Sequence, residues 1–125
     1  MGVNTHHRPM SKPVVRFEIG CRDLGKTSDF YRELFDWDIR DHGISSRVLA
    51  GEGGIPGQIV SLGHEPHNYV TIYIEVDDIK AYIEKLTSLG GTLIVGPVPI
   101  PVGYFAWFKD PEGNVIALVE PSGGG

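Results

Sequence analysis

Five polar residues whose side chains could do chemistry recur at alternate positions on two stretches of the chain. They are Arg16, Glu18, Thr71, Tyr73 and Glu75. Side chains that alternate in this way lie on one face of a β-strand. A guanidinium can bind a carboxylate or phosphate through a fork of N–H groups, a phenol can stack on a flat ring, and a carboxylate can accept a proton. The spacing therefore predicts a polar binding site on the face of a sheet.

The first of these stretches opens a run of recognisable elements. Residues 14–21 alternate apolar with polar, which predicts a strand, and Asp23 stands where a helix cap or turn belongs. Four apolar residues at helical spacing then predict a helix that ends near Asp36: Phe30, Tyr31, Leu34 and Phe35. Glycines separate three short extended segments after it, at residues 40–44, 47–50 and 55–62.

The same order of elements returns from Tyr69. An alternating strand leads to Asp78, an amphipathic helix ends at Gly90-Gly91, and three further strands are predicted at residues 92–95, 104–109 and 114–120. Aligning Asp78 with Asp23 gives an offset of 55 residues, which also places Thr71 over Arg16 and Tyr73 over Glu18. The chain is therefore predicted to be an internal duplication of one βαβββ unit.

The predicted fold is α+β, with two βαβββ units in a single domain over residues 13–121. The first unit covers about 13–63 and the second about 69–121, while residues 1–12 are predicted to be a disordered tail and residues 122–125 a flexible one. Each unit's sheet must bury one face against its helix. The opposite faces of the two curved mixed sheets are then expected to meet around a shared hollow, which is the default binding site.

Composition excludes several partners and compartments. The chain has 125 residues, 41% of them hydrophobic, and a formal net charge of −5 without a block of Lys or Arg, so neither nucleic acid nor an anionic membrane is an expected partner. No apolar run approaches the length of a membrane span or of a signal-peptide core, which predicts a cytoplasmic protein. The single cysteine, Cys21, allows no intrachain disulfide and is read as a buried small hydrophobe.

Several separate blocks follow one another along the chain: Asp23-Leu24, Phe30-Tyr31, Phe35-Asp36-Trp37, Val76-Asp77-Asp78-Ile79, Gly90-Gly91-Thr92, Phe105-Ala106-Trp107-Phe108 and Asp110-Pro111-Glu112-Gly113-Asn114. Together they resemble the vicinal oxygen chelate superfamily of glyoxalases, extradiol dioxygenases and bleomycin-resistance proteins. The resemblance covers about residues 13–121. Taken singly, each block is typical only of a helix start, a glycine C-cap or a hairpin turn. The superfamily implies a glyoxalase-like fold, a homodimer and, in many members, a divalent metal.

The metal ligands that this resemblance implies are missing from the sequence. Its usual ligand positions fall on Arg16, Thr71 and Ala117, with a fourth at Ser61 or Leu62, depending on a one-residue register. A catalytic metal needs about three convergent N or O donors. Arg16 would also place a permanent positive charge where the cation should lie. The prediction is accordingly no metal and no cofactor.

Strand alternation predicts which residues face the hollow. The predicted substrate-binding set is Arg16, Glu18, Gln58, Thr71, Tyr73, Glu75 and Trp107. Glu18 or Glu75 could serve as a general base if burial favoured its protonated form. The competing interpretation is that Arg16 keeps one of these carboxylates ionised and that the charges simply neutralise each other.

Histidines occur in two other places. His64 and His67 lie in the stretch between the units, where exposed linker histidines are commoner than metal ligands, and His6-His7 belongs to the predicted tail.

Three functions remain open from the sequence. The leading one is binding or turnover of a small organic molecule, anionic or planar, without a metal at the superfamily's usual site. The second is a metal-dependent lyase, isomerase or dioxygenase of the glyoxalase type. The third is a non-catalytic protein that sequesters its ligand, as bleomycin-resistance proteins do.

Overall fold

The computed structural model describes residues 11–61 and 68–122. In chain order its elements are β1 (Val14–Gly20), α1 (Leu24–Phe35), β2 (Ile39–His42), β3 (Ser45–Val48), β4 (Gly57–Val60), β5 (Tyr69–Glu75), α2 (Ile79–Ser88), β6 (Thr92–Ile100), β7 (Gly103–Lys109) and β8 (Val115–Pro121). This is the predicted order, a βαβββ unit followed by a second one, and it confirms the α+β fold.

The eight strands in the described part of the chain belong to one mixed sheet, which is not closed into a barrel there. Its strand order is β2-β3-β4-β1-β5-β8-β7-β6, so the opening strands of the two units lie side by side at its centre. The sequence predicted two sheets around a hollow. The two halves are instead joined by antiparallel pairing of β1 with β5, in which Arg16 lies opposite Tyr73 and Glu18 opposite Thr71.

Each helix begins at the predicted aspartate. The Asp23 side chain accepts a hydrogen bond of 2.9 Å from the Lys26 backbone N–H, and Asp78 accepts one of 3.1 Å from Ala81. These bonds satisfy N–H groups that have no partner within the first turn of a helix. α1 ends at Asp36, which adopts a left-handed backbone conformation with φ of 58°.

Three clusters of buried side chains form the core. One lies between α1 and the first unit's strands and includes Cys21, which is 4% exposed, as predicted for a small buried hydrophobe. The second lies between α2 and the second unit's strands and includes Val76 and Leu118. The third, built around Tyr73 and Ala117, lies on the opposite face of the sheet. That opposite face, called the concave face below, carries the polar residues singled out in the sequence.

β6 extends further than the sequence predicts. It continues to Ile100 through Pro97 and Pro99, past a shift in its register with β7, although the predicted strand stops at Val95. Proline is tolerated here because β6 is an edge strand of the sheet and needs partners on one side only.

Neither α1 nor α2 has the length and apolar character that crossing a bilayer requires. The histidines His6, His7, His64 and His67 lie outside the described residues.

Candidate functional site

Glu18 is the centre of the polar network on the concave face. It lies in the middle of β1 and is 2% exposed. Its Oε1 accepts hydrogen bonds from Gln58 Nε2 at 2.6 Å and from the Tyr73 hydroxyl at 2.7 Å, and its Oε2 accepts one from the Tyr69 hydroxyl. A buried carboxylate is stable only when donors replace its water. Three donors from two neighbouring strands do so here.

The two tyrosines that bind Glu18 are held in their protonated form. Burial raises the pKa of Tyr69 above its ordinary value, and the hydrogen bond to Glu18 and the charge of Glu18 raise it further. Burial and the Glu18 charge likewise raise the pKa of Tyr73, against smaller lowering effects from Trp107 and Arg16. Both phenols therefore remain donors to Glu18 throughout the neutral range.

Arg16 lies over the ring of Tyr73. Its guanidinium carbon is 5.1 Å from the ring centroid, a cation–π arrangement, and its Nε is buried and has no hydrogen-bond partner among residues 11–61 and 68–122. Among the described residues no ion pair joins Arg16 to Glu18 or to Glu75. Direct neutralisation of Arg16 by either carboxylate, one of the two interpretations left open by the sequence, is absent from this part of the chain.

Aromatic and small apolar residues continue the face into the second unit. The Trp107 ring lies 6.3 Å from Tyr69 and 6.2 Å from Phe105, centroid to centroid. Opposite Trp107 in the β7–β8 pair is Ala117, which is fully buried. This half of the face therefore offers a flat aromatic surface rather than charge.

Two of the predicted site residues do not join the network. The Thr71 hydroxyl donates a 2.7 Å hydrogen bond to the Val115 carbonyl, and the residue is 3% exposed, so it fastens β5 to β8 and has little surface for a ligand. Glu75 is half-buried at the end of β5, and within the described residues its side chain makes no hydrogen bond or ion pair.

Tyr69 is a site residue that the sequence argument missed. It has the same strand parity as Thr71 and Tyr73, so alternation along β5 could have found it. In the sequence it marks only the start of the second alternating strand.

The strand registers correct one of the implied ligand positions. On the parallel strands β5 and β8, Tyr73 lies opposite Ala117, and on the equivalent strands β1 and β4, Glu18 lies opposite Gln58. The first-unit counterpart of Ala117 is therefore Gln58, and the expectation of Ser61 or Leu62 was wrong. A Cβ on Gly57 would collide with the Phe17 ring, so glycine lets β4 approach β1 here and brings Gln58 to Glu18.

The four ligand positions do not fit a metal. Arg16 has no lone pair to donate, Ala117 has no polar atom, and the Thr71 hydroxyl is a weak neutral ligand on a residue that is only 3% exposed. Gln58 alone offers an amide oxygen. Across residues 11–61 and 68–122 no group of three or more His, Cys, Asp or Glu side chains could hold a metal ion.

A cavity of about 370 Å³ opens beside Arg16 on the first-unit side of the concave face. The residues that line it are Arg16, His42, Ser45, Arg47, Pro56, Gly57 and Gln58. Arg47 lies on β3, opposite Gln58 on β4. Of this lining only Arg16 and Gln58 were predicted from the sequence.

Comparison with known proteins identifies the family. The model of the Glyoxalase/Bleomycin resistance protein/Dioxygenase superfamily matches residues 14–118. The chain belongs to this superfamily. The resemblance inferred from the sequence blocks is thereby confirmed.

Two curated relatives show how the chain compares in length. The anthracycline biosynthesis protein DnrV of Streptomyces peucetius is 26% identical over 122 residues, covering 82% of this chain and 44% of that protein. A glyoxylase-like domain-containing protein of Didymella fabae is 29% identical over 115 residues, covering 81% of this chain and 88% of that protein. The chain thus spans less than half of the Streptomyces relative and most of the Didymella one.

A solved structure supports the fold. Methylmalonyl-CoA epimerase of Streptomyces coelicolor, in complex with 2-nitronate-propionyl-CoA, superposes with a TM-score of 0.66 at 16% identity and covers 87% of this chain and 96% of that one. At this identity the likeness concerns the fold alone. The CoA ester in that complex is the ligand of the epimerase itself.

Proposed function

We propose that this protein binds a small organic molecule, anionic at one end and planar at the other, on the concave face without a metal at the superfamily's usual position. The observation that carries the proposal is the set of residues at the four ligand positions. A stacked guanidinium, a bonded amide, a bonded hydroxyl and a methyl group offer no metal cage. Arg16 offers charge to an organic anion, and the neighbouring rings of Tyr69 and Trp107 offer it an aromatic wall.

The second half of the proposal, a planar group, is supported by Trp107 and Tyr69. Offset or edge-on stacking on these rings would hold a flat ligand. The name of the Streptomyces relative refers to anthracycline biosynthesis, and an anthracycline is a fused-ring compound. A fused-ring compound of this kind is flat and could stack on the aromatic surface in the second unit.

Metal analysis of tag-free protein together with a thermal-shift screen tests the proposal. We expect well under one equivalent of zinc, nickel, iron or manganese. Organic acids with an aromatic portion should raise the melting temperature, because a ligand that binds only the native state stabilises it. One equivalent of a transition metal bound at the concave face would favour the metal-dependent lyase, isomerase or dioxygenase and would overturn this proposal.

Sequestration without catalysis is the second candidate function, and the bonding of Glu18 favours it. A carboxylate whose two oxygens accept three hydrogen bonds is poorly placed to remove a proton from a ligand. Glu75 has no such partners among the described residues, so of the two candidate carboxylates it is the one available for a catalytic role.

Two variants separate an enzyme from a sequestering protein. In an enzyme, Glu75→Gln should abolish turnover and preserve ligand affinity. In a sequestering protein, Trp107→Leu should lower the affinity for the ligand, and Glu75→Gln should leave that affinity unchanged. The homodimer and the cytoplasmic location stay predictions.

A further inference from the structure

We infer that the cavity beside Arg16 is an oxyanion subsite, in which Arg16 and Arg47 together bind the carboxylate or phosphate group of the ligand. This inference rests on the proposed function and deepens it. It says which end of the concave face takes the anion and which second arginine holds it.

The lining of this cavity carries unbalanced positive charge. Among the described residues, two arginines and one histidine, His42, line it, and no Asp or Glu does. The whole chain has a formal net charge of −5, so two permanent cations without a carboxylate in the described lining oppose the overall charge of the molecule. Such a concentration of one sign of charge in a cleft attracts the opposite sign.

The other arginines in the first unit show what a structural role looks like. Arg32 pairs with Asp29 at 2.9 Å and with Asp41 at 3.3 Å, and Arg40 pairs with Asp38 at 2.8 Å. Within the described residues, Arg16, Arg47 and Arg22 form no ion pair. Of these three, Arg16 and Arg47 line the same cavity.

The Nε–H of Arg16 is a buried donor that has no acceptor in the described part of the chain. Leaving a buried donor unpaired is unfavourable, and it is more so for a charged group. The ring of Tyr73 fixes the guanidinium in place. A fixed donor that the described chain leaves unpaired is prepared for an acceptor on a ligand.

The strand registers allow the two arginines to converge. β3 and β1 flank β4, so their backbones lie about 10 Å apart at about 4.8 Å per strand. Arginine side chains are long enough to reach across half of that distance, and a guanidinium fork fits both carboxylate and phosphate oxygens. Arg47, Gln58 and Glu18 lie opposite one another on the neighbouring strands β3, β4 and β1. The carboxylate of Glu18 already accepts three hydrogen bonds.

The aromatic half of the face lies on the side of Arg16 that is opposite to Arg47. Tyr73 lies directly beneath Arg16, and Ala117 and Trp107 follow on the next strands. An anionic group bound at the cavity therefore places an attached ring over the aromatic half of the site.

Nuclear magnetic resonance titrations with four simple probes test the subsite. The probes are benzoate, phenyl phosphate, inorganic phosphate and neutral benzamide, each raised to about 20 mM because fragments of this size bind weakly. We expect benzoate and phenyl phosphate to shift the Arg16 Nε–Hε signal and the backbone amides of Gly57 and Gln58. Benzamide should leave the Arg16 signal in place. Whichever of benzoate and phenyl phosphate binds more tightly indicates whether the natural ligand carries a carboxylate or a phosphate.

Two variants complete the test. Arg47→Ala removes an exposed arginine of the cavity, and Arg22→Ala removes an exposed, unpaired arginine elsewhere with the same change in net charge. We expect Arg47→Ala to lower the affinity for benzoate and for phenyl phosphate about tenfold or more. Arg22→Ala should change neither affinity by more than about twofold.

Two results would overturn the subsite. The first is an Arg16 Nε–Hε signal that no anion shifts at the highest concentration. The second is equal weakening by Arg47→Ala and Arg22→Ala, which would mean that only the net charge matters. If amides around Trp107 still responded to the probes, the proposed function would stand while the subsite failed.

Discussion

The two βαβββ units place very different side chains at equivalent points of the same scaffold. Equivalence follows from the offset of 55 residues between β1 and β5 and from matching registers in the two halves of the sheet. The equivalent pairs on the concave face are Arg16 with Thr71, Glu18 with Tyr73, Gln58 with Ala117, and Arg47 with Trp107. The first unit supplies charge and amide groups, whereas the second supplies rings, a hydroxyl and a methyl group.

This difference shows how a duplicated fold forms one asymmetric site. A pair of identical units would present a symmetric face suited to a symmetric ligand or to a metal held equally from both sides. Here the halves meet where the first unit's Glu18 accepts hydrogen bonds from the second unit's Tyr69 and Tyr73. That junction ties the units together and divides the face into a charged half and an aromatic half.

The largest effect is expected from removing the carboxylate at that junction. Glu18→Ala leaves two phenols and the Gln58 amide without their acceptor in a buried place, which should lower the free energy of unfolding by about 3 to 5 kcal/mol. Urea unfolding followed by circular dichroism measures it. Glu84→Ala, on the exposed face of α2, is the control and should change stability by less than about 0.5 kcal/mol. Similar losses for both variants would contradict a structural role for Glu18.

A smaller effect is expected from giving the first unit the second unit's residue. Gln58→Ala removes one of the three donors to Glu18 and should lower the free energy of unfolding by about 1 to 3 kcal/mol. The reverse exchange, Ala117→Gln, adds an amide at a fully buried position and should be destabilising by about 1 to 3 kcal/mol through overpacking. Both are measured by the same unfolding experiment. If neither exchange changed the free energy of unfolding, positions 58 and 117 would not require different side chains in the two units.

Most of the fold could be predicted from the sequence because its signals are local. Alternation in β1 and β5, and the caps Asp23 and Asp78, depend on nearest neighbours along the chain. The pairing of β1 with β5 depends on contacts between residues about 55 positions apart, and no local pattern indicates it. The two sheets that alternation predicted are therefore one sheet in the structure.

The candidate site was predictable only where the strands are long. Parity along the seven-residue strand β5 predicted Tyr73 correctly for this face, and the same rule would have added Tyr69. β3 has four residues, so its parity carries almost no signal, and Arg47 went unnoticed as a site residue. The sequence likewise does not predict that the Thr71 side chain joins two strands, because its hydroxyl bonds to a backbone carbonyl of a distant strand.

A pH-dependent effect should follow from the raised pKa values of Tyr69 and Tyr73. In the unfolded chain these phenols lose their protons near pH 10, whereas the folded protein retains them, so stability falls as the pH rises above about 10. At about pH 11, while the protein is still folded, neither Tyr69 nor Tyr73 should contribute to the tyrosinate absorbance. The double variant Tyr69→Phe/Tyr73→Phe should therefore show the same absorbance change as the parent. A reduced change in the double variant would mean that these two phenols ionise in the folded state.

The smallest effect is expected from restoring a histidine at the first unit's ligand position. Arg16→His removes the guanidinium and adds one nitrogen donor, but Thr71 remains bonded to the Val115 carbonyl and Ala117 remains without a polar atom. A tight metal site needs about three convergent donors, so isothermal titration with zinc or nickel should detect no tight binding at the concave face in tag-free protein. The triple variant Arg16→His/Thr71→His/Ala117→Glu supplies two imidazoles and a carboxylate at these positions and should bind zinc measurably. Tight binding by the single variant would show that Glu18 and Gln58 can turn from their hydrogen bonds to a metal, and the division of the face into a charged and an aromatic half would then describe only its metal-free state.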